Sequence, residues 1–186
     1  MADLIDGLLS LMNLSRIDLK HEPIDLSGLA QSVLDDWHLR EPKRTVRSSV
    51  QVGMHCLGDV RLLQQVMVNL IGNAWKFSSK HSAAAIHVGR QLEPDRQAVF
   101  FVSDNGAGFD MAYAGQLFGP FQRLHSPAEF EGTSIGLATV RRIIVRHEGR
   151  IWASAVPGEG ATFFFTLWDA ADTGTHSGRT PAEVRP

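Results

Sequence analysis

The chain has 186 residues, 44% hydrophobic and 20% charged, with a formal net charge of −2 and one cysteine. That balance suits one soluble globular domain with appendages, and a pI near 6.4 leaves no basic footprint for nucleic acid. A lone Cys56 excludes an intrachain disulfide and a cysteine-based zinc site, which fits a reducing cytoplasm.

No apolar run approaches the ~20 residues of a membrane span, and the first six residues carry acid where a signal peptide carries base, so no direct membrane contact is expected. Leu4, Leu8, Leu11, Met12, Ser15 and Leu19 recur at near-heptad spacing. The seam reads as the tail of a longer helix whose partner lies elsewhere, or as an amphipathic helix packed on its own domain. Pro23 interrupts the chain, Asp25 or Ser27 can cap a helix running to about Leu39, and Pro42 stops it. Strands are expected over Thr45–Val50 and Met54–Leu57, then a helix from Asp59 to about Ser79. Ala84–Gly89 and Gln97–Asp104 read as a hairpin turning through Glu93-Pro94-Asp95. From Phe109 to Glu131, glycines and prolines interleave with phenylalanines, a length that marks a functional lid. Ile135–His147 reads as a helix ended by Gly149, and Arg150–Ala155 with Ala161–Trp168 as a last hairpin. Residues 173–186 are small, polar and proline-containing, the composition of a disordered tail.

Three segments carry chemistry. Asn69, Asn73 and Lys76 fall at i, i+4 and i+7 of the predicted Asp59–Ser79 helix and share one face. A carboxamide oxygen is a hard neutral ligand suited to Mg²⁺, and Asn73 is the candidate for it. Lys76 can neutralise phosphate oxygens, and Asn69 can orient a water or a phosphate but cannot act as a carboxylate base. Asp104 ends an apolar strand and precedes Gly106 and Gly108. Its carboxylate only accepts hydrogen bonds, which matches the exocyclic amine of adenine and not the carbonyl of guanine. Gly132, Thr133, Ser134 and Gly136 precede a helix whose free N–H groups favour phosphate. Each segment has an ordinary structural use; their joint occurrence points to a nucleotide.

These segments resemble the ATP-binding catalytic domain of sensor histidine kinases, most closely the phytochrome type, within the superfamily shared with gyrase, heat-shock-90 chaperones and mismatch-repair ATPases. Asn69–Ser78 resembles the N box, Asp104–Gly108 the first glycine box, Leu117–Arg123 the F box with Phe118, and Gly132–Leu137 the second glycine box. Thr162 corresponds to a threonine that helps hold adenine through water. The resemblance implies an α/β (α+β) two-layer sandwich of the Bergerat type, a mixed β-sheet packed on three helices, preceded by a short N-terminal helix. It divides the chain into 1–22, the end of the second dimerisation and phosphoacceptor helix, 23–168, the catalytic domain, and a 169–186 tail. It implies ATP and Mg²⁺ as cofactors, with Arg123 in the lid reaching the γ-phosphate and Leu137 lining the phosphate end. The implied partners are the phosphoacceptor domain of the same kinase and a response-regulator receiver domain, with homodimerisation of the full protein.

The departures from the family pattern are Ser134, where the second glycine box has a glycine, and Phe77, where a tyrosine follows the lysine. No histidine has the phosphoacceptor spacing. His21-Glu22-Pro23 brings proline too early for a helix, and His147-Glu148 runs into Gly149. His125 is left as a lid contact. Two other readings remain open: another ATPase or serine kinase of the superfamily, and a degenerate interaction module that keeps the fold without the nucleotide.

Overall fold

In the computed structural model, residues 19–93, 97–119, 122, 130 and 135–167 are described. Strand β1 (Glu22–Asp25) leads into helix α1 (Leu26–Arg40), strands β2 (Arg47–Val50) and β3 (His55–Gly58), and helix α2 (Val60–Phe77). Strands β4 (Ala85–Leu92) and β5 (Ala98–Asp104), a 3₁₀ turn over Met111–Gln116, helix α3 (Gly136–Arg146) and strands β6 (Ile151–Val156) and β7 (Gly160–Thr166) complete it. The main sheet has the order β2-β4-β5-β7-β6, with β2 and β4 parallel and the other neighbours antiparallel. It is a mixed sheet covered on one face by the three α-helices, as expected.

Local chemistry explains where the helices begin. Asp25 accepts from the Gly28 amide and Asp59 from the Arg61 amide, each using its side chain as an N-cap. Helix α2 buries Leu62, Val66, Leu70 and Ala74 with Leu63, Met67, Ile71 and Trp75, two rows at i+4 spacing. That double row lets α2 pack on α1, on α3 and on β5, so it forms the middle of the helical layer. Behind it, Trp75 stacks on Trp37 at 5.7 Å between ring centroids, which turns the indole away from the Asn69 face.

In the sheet, Val88, Val102 and Phe163 share the covered face, as do Phe100 and Phe165, which stack at 5.7 Å. The opposite face carries Phe101, Phe164 and Trp152, with the last two stacked at 5.5 Å.

Four expectations need correction. Residues 19–21 are not helical, and Glu22 opens a strand pairing with Gly58, so the N-terminal helix does not reach Leu19. Pro23 does not interrupt the chain: Glu22–Asp25 form a two-stranded sheet with β3, in which Pro23 opposes Leu57. Strand β4 continues past Gly89 to Leu92, because the Phe101 ring fills the space a side chain at 89 would need. The lid cannot begin at Phe109, which is buried in the core and lies 6.3 Å from the Phe163 ring. The expected seam from Leu4 to Ser15 and the tail lie outside the described residues.

Phe100→Ala removes a ring that is 1% exposed and is expected to cost about 3–5 kcal/mol in urea unfolding, with an unchanged denaturant slope. A loss below about 1 kcal/mol would contradict the packing of β5 against β7.

Candidate functional site

Helix α2 brings Asn69, Asn73 and Lys76 to one side, all three half-buried. The Asn69 amide donates its N–H to the Gln65 carbonyl at 2.8 Å, which turns Oδ1 outward from the helix. That oxygen lies against Gly136, the first residue of α3, where any Cβ would collide with it. Gly136 permits this close approach without displacing the asparagine, and the start of α3 stands directly on the asparagine face. Leu137, one residue on, is partly buried against the core. One turn beyond Asn69, among the described residues none bonds the Asn73 carboxamide. The Lys76 ammonium lies 4.2 Å from the Phe77 ring centroid, and Phe77 meets Phe130 edge-on at 5.0 Å.

The other end of α2 meets the Asp104 turn. The Ala107 amide donates to the Phe77 carbonyl at 3.0 Å, and Gly106 lies so close to that carbonyl that a side chain would not fit. Gly108 has φ +58° and packs on the Val156 backbone, so it needs both the conformation and the smallness of glycine. Asp104 is 8% exposed and accepts from the Gly106 amide at 2.8 Å and from the Ala161 amide. Burial pushes its carboxyl up to about 6, and the two amide bonds only partly oppose this. Asp104 is therefore a poorly solvated carboxyl that is largely ionised at neutral pH.

Sequence reasoning missed the residue that fixes this turn. Asn105 accepts from the Ala85 amide at 2.8 Å and donates to the Ala83 carbonyl at 2.9 Å, buckling the turn to the start of β4. Nothing in periodicity signals such a role. Thr162 is a correction. It opposes Ser103 and bonds to its hydroxyl at 2.8 Å, on the sheet face away from Asp104; Ala161 is the residue beside the carboxylate. Side chains alternate faces along a strand, so a one-residue offset changes sides. Phe118 packs edge-on against Phe163 at 6.5 Å, which ties it to the core. Arg123, His125, Gly132, Thr133 and Ser134 lie outside the described residues.

The helix face that carries two amides and an ammonium thus has the buried-carboxylate turn at its carboxy-terminal end and the start of α3 against its middle. Residues 58–171 match the family described as histidine kinase-, DNA gyrase B- and HSP90-like ATPase. The chain belongs to that family. This ATPase-family domain is 35% identical over 171 residues to cyanobacterial phytochrome B of Nostoc sp. (strain PCC 7120), a match covering 91% of the chain and 23% of that protein. It is 30% identical over 155 residues to the adaptive-response sensory kinase SasA of Thermosynechococcus vestitus, covering 82% of the chain and 40% of the kinase. The domain spans about a quarter of the length of that phytochrome. Among solved structures, its fold is similar to full-length ShkA in complex with AMPPNP, with TM-score 0.74 and 24% identity over 90% of this chain and 35% of that one. The mycobacterial sensor histidine kinase MprB gives TM-score 0.66 and 22% identity over 80% and 97%. The fold is that of histidine kinase catalytic domains. Among the described residues, no helix is long and apolar enough to cross a membrane, and no three of His, Cys, Asp and Glu gather as a metal cluster.

The raised Asp104 carboxyl gives a pH test. Between its ordinary value of 3.8 and about 6, the folded chain holds this proton and the unfolded chain does not. The stability cost of the buried charge is therefore full above pH 6 and absent below about pH 4. Asp104→Asn is expected to be more stable than wild type by ~1–3 kcal/mol at pH 8, with the gap closing by pH 4 in urea unfolding. A gap independent of pH would contradict a buried ionised carboxylate.

Proposed function

We propose that this domain is the nucleotide-binding half of a sensor histidine kinase, which binds ATP with Mg²⁺ and delivers the γ-phosphoryl group to a histidine on a separate phosphoacceptor domain. The observation that carries this reading is the pairing along α2: Asn69 Oδ1 against the first residue of α3, and the Phe77 carbonyl against the Asp104 turn. Asp104 accepts the adenine amine. Adenine then lies at the Phe77 end and the phosphates extend along the asparagine face towards Gly136. Asn73 supplies a neutral oxygen ligand and Lys76 a positive charge for the phosphates. A bound Mg²⁺ supplies charge neutralisation on the phosphate oxygens.

The donor chemistry fits that ion: half-buried amide oxygens with room for phosphate oxygens and waters, not a cluster of carboxylates. Asn69 is not a base strong enough to activate water, which favours transfer to a partner histidine over hydrolysis. On this reading Gly106, Gly108, Leu137 and Phe118 line the nucleotide, and the family resemblance adds Gly132, Thr133, Ser134 and Arg123 as contacts to its phosphates. In the full protein the same reading implies a cytoplasmic homodimer whose phosphoacceptor domain passes the phosphoryl group to a response-regulator receiver domain.

Calorimetric titration of the chain with ATP, with and without Mg²⁺, tests this. The wild type is expected to bind ATP and ADP, and Asn73→Ala to lose the Mg²⁺-dependent part of the affinity, about tenfold or more, with an unchanged circular dichroism spectrum. Equal affinity in wild type and variant would remove Asn73 as the metal ligand. Incubation with γ-labelled ATP is expected to leave no acid-labile phosphate on the isolated chain; label at such a site would contradict a separate phosphoacceptor.

A further inference from the structure

Two groups that nucleotide binding does not use are among the most buried polar residues of the molecule: Asp59 and His147, each 1% exposed. They bond across α2 and α3. The Asp59 backbone amide donates to His147 Nε2 at 3.1 Å, and His147 Nδ1 lies 2.8 Å from the Ile143 carbonyl. Since a carbonyl only accepts, Nδ1 carries the proton and Nε2 is the acceptor, so the ring is neutral with both nitrogens satisfied. Burial, the largest cause, holds its basicity below the ordinary histidine value, in keeping with that state.

The junction is tight and gathers a third segment. A Cβ on Gly58 would lie 2.9 Å from His147 Cδ2, so the ring packs against the strand end where no side chain would fit. The Asp59 carboxylate accepts from the Arg61 amide and guanidinium at 3.0–3.3 Å and also from the Lys20 amide. His21, the next residue, lies 6.4 Å from the His147 ring. The place where the chain enters the domain is thus fastened to the same point.

Helices α2 and α3 pack along their length, and two specific polar contacts between them lie far apart. Asn69 meets Gly136 at one, and Asp59 meets His147 at the other. The separations are ten residues along α2 and eleven along α3, or about 15 and 16 Å at the α-helical rise. Two near-equal spans, bonded at one end and in close contact at the other, let α3 act as a strut. Its near end is the helix start facing the asparagines, and its far end is held by one imidazole.

We infer that His147 is a positioning residue: by accepting from the Asp59 amide it fixes α3 lengthwise on α2, sets where the first turn of α3 stands against Asn69, and links that placement to the Lys20–His21 segment. The inference rests on the proposed nucleotide reading of the cleft. It goes beyond it by tying phosphate-end geometry to the segment that precedes the domain.

The test uses the 186-residue chain with Mg²⁺–ATP as the probe. His147→Leu, which keeps bulk but removes the acceptor, is expected to weaken binding about tenfold in a chain folded by circular dichroism. His147→Gln, whose amide oxygen can reach the position of Nε2, is expected to restore affinity to within about threefold. A purely structural role would lower the melting temperature yet leave the folded chain with wild-type affinity, and that result overturns the inference. A second readout needs no variant: Mg²⁺–ATP is expected to slow hydrogen exchange of the Asp59 amide in the unmodified chain, about 15 Å from Asn69. Exchange at Asp59 unaltered by saturating nucleotide also overturns it. Absence of ATP binding by the unmodified chain would instead remove the nucleotide reading, and the inference with it.

Discussion

A carboxyl group taken almost wholly out of water and bonded to backbone amides is costly to hold, and much of the molecule is arranged around holding Asp104. One amide comes from Gly106 in its own turn and one from Ala161 in the neighbouring strand. The turn that aims the first amide has left-handed backbone at Gly108 and packs directly on the last carbonyl of α2. Asn105 in turn fastens it to the strand before it. Removing the carboxylate would relieve a desolvation cost, as buried charges without a counter-charge generally do. A group kept at a cost to stability is a candidate for ligand binding, which is the role proposed for Asp104.

Helix α2 turns that single constraint into a site. Its carboxy-terminal end is set by the Asp104 turn, and its middle is set by Asn69 against the start of α3. Its amino-terminal end is set by Asp59 and His147. The helix is therefore fixed at three heights by glycine-dependent or fully buried contacts, and the asparagines are carried on a rigid element. Catalysis that depends on placing a phosphoryl group requires such rigidity more than it requires reactive side chains.

Much of this can be read from the chain, for definite reasons. The two buried rows of α2 and the polar face of Asn69, Asn73 and Lys76 follow from helical period, and Asp25 and Asp59 announce their helices as caps. Strands β4 and β5 alternate clearly enough to be found, but the end of β4 was hidden because Gly89 looks like a stop until the Phe101 ring is seen above it. Strand β1 was invisible: four residues with a proline have no period, and only the pairing with β3 makes them a strand. Thr162 illustrates a different limit. Motif correspondence located the strand, yet a sheet assigns faces residue by residue, and register placed Thr162 beside Ser103. The role of His147 is hidden in the chain because its partner, the Asp59 amide, is 88 residues away.

The proposed reading commits to one arrangement of ligand: purine at the carboxylate, phosphates along the asparagines. A crystal structure of the chain with Mg²⁺ and a non-hydrolysable ATP analogue tests it most directly. The account predicts the adenine amine within hydrogen-bond distance of Asp104 and the metal bound to the Asn73 side-chain oxygen. An analogue lying elsewhere, or reversed with its phosphates at the Asp104 turn, would contradict it.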